Sequence, residues 1–220
     1  MNTKLFTTLY DEVLIDVPGV PADVALNAIR NTAIEFCDRT MCWVVDADPI
    51  SSVAGQSIYQ FEPENGSEVV GVIQAYYNGV RINPMTASQL DNEYSQPQST
   101  FVAGEPWNEQ IGVPRYYLIE QPEEFILVPI PSESVDSAIK MKVSLKPTRT
   151  SSGMERWVID KYFDTLAHGA KARLCAMHKK PWTDSGQANF HTEKFEQGIT
   201  AASAHSSHKL PAMVCAASPI

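Results

Sequence analysis

The sequence predicts an α+β fold: a helical bundle, formed by an N-terminal helix and a C-terminal helical hairpin, that is interrupted by an antiparallel β-sheet or sandwich insert and followed by an extended C-terminal arm. Apolar residues repeat at helical spacing near the N-terminus and again after residue 150, whereas between these regions they alternate with a period of two. Because each amphipathic helix must bury its apolar face, the separated helices are expected to pack together. We therefore expect a helical domain at 1–46 and 151–206, a β domain at 47–150 and an arm at 207–220.

The first strong helical pattern runs from Val24 to about Thr40. Pro21 precedes it, at a position that favours a helix start. Apolar side chains then follow at intervals of three or four residues: Leu26, Ile29, Ala33, Phe36 and Cys37. A shorter helix is predicted before this one, and Val17-Pro18-Gly19 would end it.

The central region reads as about six short strands. In Ile139–Lys146 apolar and polar residues alternate without exception, which predicts one buried and one solvated face. Asn78-Gly79 is a strong hairpin signal, and Gln121–Glu124 indicates a second hairpin. The polar stretch Thr86–Pro114, rich in Gln, Ser, Asn and Gly, is predicted to be a long functional loop.

The C-terminal third predicts a helical hairpin. The first helix carries an apolar stripe that ends before Pro181: Ile159, Phe163, Leu166, Ala170, Leu174 and Met177. The second helix begins at Asp184 or Ser185 and has its own apolar face: Ala188, Phe195, Ile199 and Ala202. The residues after Ser206 are apolar and too few for a core of their own, so they are expected to dock on another molecule.

Composition and charge exclude several classes of protein. The chain of 220 residues is 44% hydrophobic and 20% charged, which is ordinary for a globular protein. Its net charge of −9 argues against sequence-specific nucleic-acid binding, which needs a basic surface. No apolar run approaches the ~20 residues of a membrane span, and the first ten residues lack a signal-peptide pattern. The four cysteines form no CxxC pair and are expected to be reduced.

No catalytic, cofactor-binding or metal-binding motif is found in the sequence. The histidines show no HExxH or HxH spacing: His168, His178, His191, His205 and His208. No glycine-rich phosphate loop occurs. Glu123 and Glu124 are adjacent in a predicted hairpin and would point in opposite directions, so we interpret them as solvated turn residues. The sequence therefore offers no case for an enzyme, and no cofactor is expected.

Four groups of residues, distributed between Pro21 and Ala202, form a recognisable series. They are Asn27-Ala28-Ile29-Arg30-Asn31 with Glu35-Phe36-Cys37-Asp38-Arg39-Thr40; Tyr76-Tyr77-Asn78-Gly79; Lys146-Pro147-Thr148-Arg149-Thr150; and Gly169-Ala170-Lys171-Ala172-Arg173-Leu174 with Met177, Lys180-Pro181-Trp182-Thr183-Asp184 and Phe195. In this order and spacing they resemble the tailed-bacteriophage head-to-tail adaptor (connector or neck) proteins. One departure is Met177-His178-Lys179-Lys180, where the family pattern has a Pro-Gly turn.

The resemblance implies a structural virion protein that forms a homo-oligomeric ring, usually dodecameric, between the portal and the tail. Such a ring extends the DNA channel and provides the platform on which the tail or the next neck protein assembles. DNA would pass through the lumen without sequence-specific binding. The protein would be made in the host cytoplasm and reside at the head–tail junction of the virion, without membrane contact.

Three groups of residues are predicted to carry the contacts of this ring. The arm would dock on the portal, small and exposed residues of the long C-terminal helix would pack subunits together, and the loop in the β domain would face the tail. The groups are Leu210, Pro211, Met213, Val214 and Ile220 for the portal; Trp157, Gly169, Ala170 and Arg173 for subunit packing; and Tyr94, Phe101 and Trp107 for the tail-facing loop.

An alternative function stays open from the sequence. The β domain is rich in aromatic residues: Tyr76, Tyr77, Tyr94, Phe101, Trp107, Tyr116 and Tyr117. On the exposed face of a β-sandwich they would bind a sugar, and the protein would be a receptor- or carbohydrate-binding module of a virion. In the core of a sheet they would serve packing alone.

Overall fold

The computed structural model describes residues 2–60, 62–95, 106–121 and 123–207. Phe101 and the predicted arm residues from Leu210 onward lie outside the described residues. The chain divides into two compact units. Unit 1 comprises Met1–Trp43, Asn65–Glu68 and Leu145–Ile220, and unit 2 comprises Val44–Glu64 and Val69–Ser144.

The described residues contain both helices and strands. The strands are β1 (Thr3–Leu5), β2 (Val44–Asp46), β3 (Ile50–Ser52), β4 (Ile58–Gln60), β5 (Ser67–Tyr77), β6 (Val80–Pro84), β7 (Ile111–Gly112), β8 (Tyr116–Gln121), β9 (Glu124–Val128), β10 (Ile130–Pro131), β11 (Val135–Pro147) and β12 (Gly153–Glu155). The helices are α1 (Tyr10–Asp16), α2 (Ala22–Thr40), α3 (Ala87–Ser95), α4 (Arg156–Lys161), α5 (Phe163–Cys175) and α6 (Ser185–Ser207), with a 3₁₀ turn at Phe6–Leu9 before α1. The fold is therefore mixed α+β, as the sequence predicts.

Helices α2, α5 and α6 pack against one another in unit 1. Phe36 of α2 is fully buried, and its ring lies 4.8 Å from the ring of Tyr162 and 6.5 Å from that of Phe195. Such tilted aromatic contacts add to the burial of the apolar helix faces. The short strands β1 and β12 pair in antiparallel orientation beside the helices of the same unit.

The predicted ends of α2 and α6 are confirmed. Helix α2 begins after Pro21 and ends at Thr40, and the φ of 48° at the next residue, Met41, is the left-handed conformation common after a helix. Helix α6 begins after Asp184, whose carboxylate Oδ1 accepts a hydrogen bond from the backbone N–H of Gln187 at 3.0 Å. This is the capping interaction expected of Asp at the start of a helix.

The long C-terminal helix of the sequence analysis is two helices in the structure. The backbone of Tyr162, with φ −113° and ψ 25°, separates α4 from α5. Ile159 of α4 and Leu166, Ala170 and Leu174 of α5 are nevertheless all buried. The predicted apolar stripe therefore continues across the interruption. The continuity of the helix and its end were wrong, since α5 ends at Cys175 and Met177 lies beyond it.

Unit 2 is built on a curled sheet of eight strands. The order is β2-β11-β5-β6-β8-β9-β4, and β3 also pairs with β11. Both predicted hairpins are confirmed, since β5 pairs with β6 and β8 pairs with β9 in antiparallel orientation. Asn78 and Gly79 have φ values of 47° and 80°, as the tight turn between β5 and β6 requires.

Two strand pairs correct the prediction of a purely antiparallel sheet. β6 pairs with β8 in parallel orientation, and so does β7 with β10. The connection from β6 to β8 contains α3. It is long enough to bring the chain back to the end of the sheet at which β6 begins, as a parallel pair requires. Hairpin signals describe only strands that are neighbours in sequence, so they do not reveal such pairs.

The predicted loop Thr86–Pro114 is also corrected, because its first part is the helix α3. Leu90 and Tyr94 lie one turn apart on this helix and are 0% and 7% exposed. The backbone N–H of Gln89 donates to the Thr86 hydroxyl at 3.3 Å, and Gln89 Oε1 accepts from the backbone N–H of Thr86 at 2.9 Å. This reciprocal pair is a capping box, which explains why a mostly polar stretch begins a helix here.

Candidate functional site

The residues predicted to pack subunits together lie in two different environments. Gly169 and Ala170 are buried within unit 1, whereas Trp157 is 41% exposed on α4 and Arg173 lies on the exposed side of α5. A Cβ atom added at Gly169 would lie 2.7 Å from Phe195 Cδ2 and closer still to Thr32 Cγ2. The small side chain of Gly169 therefore permits close approach of α2 and α6 to α5 within one chain. Contact between subunits through Gly169 and Ala170 stays a prediction. The packing of Gly169 against Thr32 and Phe195 within one chain accounts for its small size without such a contact.

A network of ion pairs connects the three helices around Arg173. Arg173 and Arg39 both bind the carboxylate of Glu35. The distance from Arg39 Nη1 to Glu35 Oε1 is 3.1 Å. Arg39 also makes a two-pronged pair with Glu196 of α6, with both N–O distances 2.6 Å. Hydrogen bonding from Arg39 lowers the pKa of Glu196 below its ordinary value. Because these groups are half exposed, the network orients side chains at the surface more than it stabilises the fold.

Beside this network, α2 and α5 form an open groove in unit 1. Its volume is about 470 Å³. The residues that line it are Val24, Asn27, Ala28, Asn31, Arg173, Ala176 and Met177. We call it the α2–α5 groove. Its apolar floor and polar rim are the pattern of a site that receives a peptide or another protein segment.

The residues predicted for a tail-facing loop serve unit 2 as anchors. Tyr94 of α3 is buried in a cluster with Leu90, Leu118 and Val128, and Trp107 packs against the same cluster. Burial raises the pKa of the Tyr94 hydroxyl to about 12. The indole Nε1 of Trp107 donates to Asp91 Oδ1 at 2.8 Å, which ties the chain after the undescribed residues 96–105 back to α3. Contact with the tail through these residues stays a prediction, and Phe101 lies outside the described residues.

The other aromatic residues of unit 2 do not form an exposed face. Tyr77 and Tyr117 are buried, and Tyr76 and Tyr116 are half-buried. The hydroxyl groups of Tyr77 and the buried Ser52 lie 3.1 Å apart, within hydrogen-bonding distance. A sugar-binding face needs exposed aromatic rings, so the geometry of the described residues does not favour the carbohydrate-binding alternative.

A buried polar cluster in unit 1 was not found by sequence reasoning. Lys171, only 3% exposed, binds Glu12 Oε1 at 2.9 Å and Asp16 Oδ2 at 2.7 Å. The ring nitrogens Nδ1 of His168 and His191 lie 2.8 Å apart beside it. Burial lowers the pKa of both imidazoles. The positive charge of Lys171 lowers the pKa of His168 further, and the charge of His168 lowers the pKa of His191 further. The signal in the sequence was a lysine within an otherwise apolar face of α5.

Neither a metal site nor a membrane-spanning helix is found in the described part of the chain. No group of three or more His, Cys, Asp or Glu side chains there has the geometry to hold a metal ion. No helix there is both long and apolar enough to cross a membrane. Cys37, Cys42 and Cys175 are free thiols in the interior of unit 1. The described surface carries ion pairs, an open groove and exposed apolar side chains such as Trp157.

Comparison with known families decides the class of protein. The model of the SU10 adaptor protein family matches residues 5–214, nearly the whole chain. The chain belongs to this family. SU10 adaptor proteins are structural phage adaptors, which implies a non-enzymatic role. This adaptor is therefore a component of a phage virion and interacts with other virion proteins. No curated protein matches the chain.

Proposed function

We propose that this SU10-type adaptor forms a ring of twelve subunits between the portal and the tail, which extends the DNA channel and carries the tail. The observation that carries the proposal is the family match over residues 5–214. The exposed Trp157 and the ion pairs around Arg173 on unit 1 support it, because aromatic and arginine side chains are enriched where proteins associate.

Each part of the chain has a role in this proposal. The exposed side of α4 and α5, with Trp157 and Arg173, packs against the next subunit. Unit 2, with the segment 86–114, faces the tail or the next neck protein. The arm contributes Leu210, Pro211, Met213, Val214 and Ile220 to the contact with the portal. Because the chain carries a net charge of −9, it offers DNA in the lumen little attraction, which suits a channel through which DNA must slide.

The portal contact is tested by removing residues 209–220. Full-length and truncated chains are mixed with portal rings, and the bound fraction is measured by co-sedimentation. We expect the truncated chain to keep its circular-dichroism spectrum and its thermal transition but to lose portal binding, because an apolar arm gains burial only in a partner. Undiminished binding by a folded truncated chain would remove the arm from the portal contact.

A matched substitution separates the arm from its length. Met213→Asp and Val214→Asp place charge in the apolar centre of the arm while keeping the chain complete. We expect the double variant to bind portal as weakly as the truncated chain, because a buried carboxylate without a partner is costly. Ser218→Asp, an equal change at a polar position of the same segment, is the control and should bind like the unaltered chain.

A further inference from the structure

A pair of histidine rings joins α5 to α6 inside unit 1. His168 of α5 is half-buried, and His191 of α6 is 2% exposed. Their Nδ1 atoms lie 2.8 Å apart, and their ring centroids lie 5.1 Å apart. Two ring nitrogens at this distance share one hydrogen, which one imidazole donates from Nδ1 and the other accepts. The contact between the rings therefore requires that one of the two Nδ1 atoms carries no hydrogen of its own.

The position of Asp16 determines which ring donates. The Nε2 atom of His191 is buried without a hydrogen-bond partner among the described residues, and Asp16 Oδ2 lies 3.8 Å from it. A hydrogen on this nitrogen is attracted by the carboxylate, whereas a lone pair there would be repelled by it. Neutral His191 therefore carries its hydrogen on Nε2 and has a lone pair on Nδ1. His168 then donates from Nδ1 and keeps a lone pair on its own Nε2.

We propose that this histidine pair is a pH-sensitive switch, which keeps α5 and α6 together when it binds one proton and separates them when it binds a second. The first proton binds to the lone pair on Nε2 of His168, and the hydrogen bond to His191 then becomes charge-assisted. The second proton can bind only to Nδ1 of His191, the atom that accepts this hydrogen bond. Two N–H groups and two positive charges would then meet across 2.8 Å, so the rings and the helices that carry them must move apart.

The charged groups around the pair oppose a second positive charge. Lys171, only 3% exposed, binds the carboxylates of Glu12 and Asp16, so its own charge already occupies the carboxylates that α1 supplies. Burial and the charge of Lys171 lower the pKa of His168, as does Lys194 of α6, whereas Asp164 and Asp16 raise it. On α2 and α4, which also pack against α5, the charged groups have other partners: Glu35 and Arg39 bind Arg173 and Glu196, and Asp160 binds Lys4 and Arg156.

The consequence is a contact between helices that is lost in acid. Because burial lowers the pKa of both rings, the packed state binds protons less readily than a state in which α6 has separated. The contact is therefore complete above about pH 6.5, the ordinary histidine value, and is lost as the pH falls below it. Gly169 follows His168, and it packs closely against Phe195, one turn beyond His191 on α6. We expect acid to loosen α6 from His191 to Phe195 and to leave β11 of unit 2 unchanged.

NMR spectroscopy of the histidine rings in the full-length chain tests the switch. Long-range ¹H–¹⁵N spectra distinguish a ring nitrogen that carries a hydrogen from one that does not, and they are recorded from neutral to mildly acidic pH. In parallel, hydrogen–deuterium exchange of the backbone amides is measured by mass spectrometry and corrected for the intrinsic effect of pH on exchange. His168→Gln is the matched variant. A glutamine amide can donate to Nδ1 of His191 and, after turning, accept from it, so it keeps the contact in both protonation states.

We expect neutral His191 to carry its hydrogen on Nε2 and His168 to bind the first proton. When His191 binds the second, the amides from His191 to Phe195 should exchange about tenfold faster, the factor for the loss of one hydrogen bond. In His168→Gln the same amides should stay slow. A hydrogen on Nδ1 of neutral His191, two protons on the pair with unchanged exchange in α6, or equally fast exchange in His168→Gln would each overturn the proposal. The first two results come from the unaltered chain, so they decide the matter even where the variant fails to fold.

Discussion

The substitution Gly169→Ala tests whether the small residue on α5 serves packing inside one chain. Its new Cβ atom would lie 2.7 and 2.8 Å from Cδ2 and Cε2 of Phe195 and closer still to Thr32 Cγ2. Neither neighbour can move away freely. Thr32 is fully buried and its hydroxyl donates to the carbonyl of Ala28 at 2.9 Å, and Phe195 is packed in the interior of unit 1.

The magnitude follows from two opposed effects. Inserting a methyl group into a packed interior costs about 1–3 kcal/mol. The higher helix propensity of Ala offsets about 1 kcal/mol of this. Because the added Cβ atom would lie less than 3 Å from two buried side chains, the packing cost is expected in the upper part of this range, about 2–3 kcal/mol. We therefore expect Gly169→Ala to lower the free energy of unfolding by about 1–2 kcal/mol. Urea denaturation followed by far-UV circular dichroism measures this difference.

A second substitution identifies the atoms responsible. Thr32→Ser removes Cγ2 and keeps the hydroxyl that bonds Ala28, so Thr32→Ser combined with Gly169→Ala should recover part of the loss. The coupling between the two changes is expected to exceed about 0.5 kcal/mol, as for residues in direct contact. Gly71→Ala, at a site where an added Cβ atom meets no atom within 4 Å, is the control without a clash.

The result that would refute this reasoning is specific. If Gly169 packs subunits together, Gly169→Ala should leave the dilute chain as stable as before and weaken only the assembled ring, with a strong dependence on protein concentration. An unchanged unfolding curve, or the absence of any coupling to Thr32, would contradict the packing account.

Three further predictions concern other parts of the chain. Because burial lowers the pKa of His191 on folding, the unfolded state binds more protons than the folded one, and stability should fall as the pH drops below the ordinary histidine value of about 6.5. His191→Gln should flatten that slope in pH-dependent urea denaturation, and an unchanged slope would contradict this. Leu90→Ala should destabilise unit 2 by about 2–5 kcal/mol through the cavity it leaves, measured by thermal unfolding, and the exposed Ser88→Ala should have little effect. Arg39→Ala should cost at most about 1 kcal/mol, because its two-pronged pair with Glu196 is largely solvated, and a loss above about 3 kcal/mol in the same unfolding assay would contradict this.

The elements that the sequence predicted well have patterns complete within one segment. Helix α2 has its start at Pro21 and an apolar stripe, and β11 alternates with Lys140 and Lys142 exposed between the buried Ile139, Met141 and Val143. In such segments the period of the apolar residues decides both the type of element and the buried face.

The elements that the sequence missed depend on partners distant in the chain or on sparse signals. Helix α3 has only Leu90 and Tyr94 to mark its buried face, and the capping box at Thr86 and Gln89 was the signal that was overlooked. The parallel pair of β6 and β8 leaves no mark in either strand, since register across a long connection depends on the whole sheet.

The candidate site was predictable only in part for the same reason. The resemblance indicated the family, which the match over residues 5–214 confirms. The α2–α5 groove joins residues near position 27 to residues near position 176, so neither segment alone shows that a groove exists. The polar cluster likewise brings Lys171 to Glu12 and Asp16 across more than half of the chain.

Cryo-electron microscopy of the full-length chain mixed with its portal tests the central claim most directly. The account predicts a closed ring that is coaxial with the portal, with the C-terminal arm of each subunit in contact with the portal. A chain that stays monomeric in the presence of assembled portal would contradict the account.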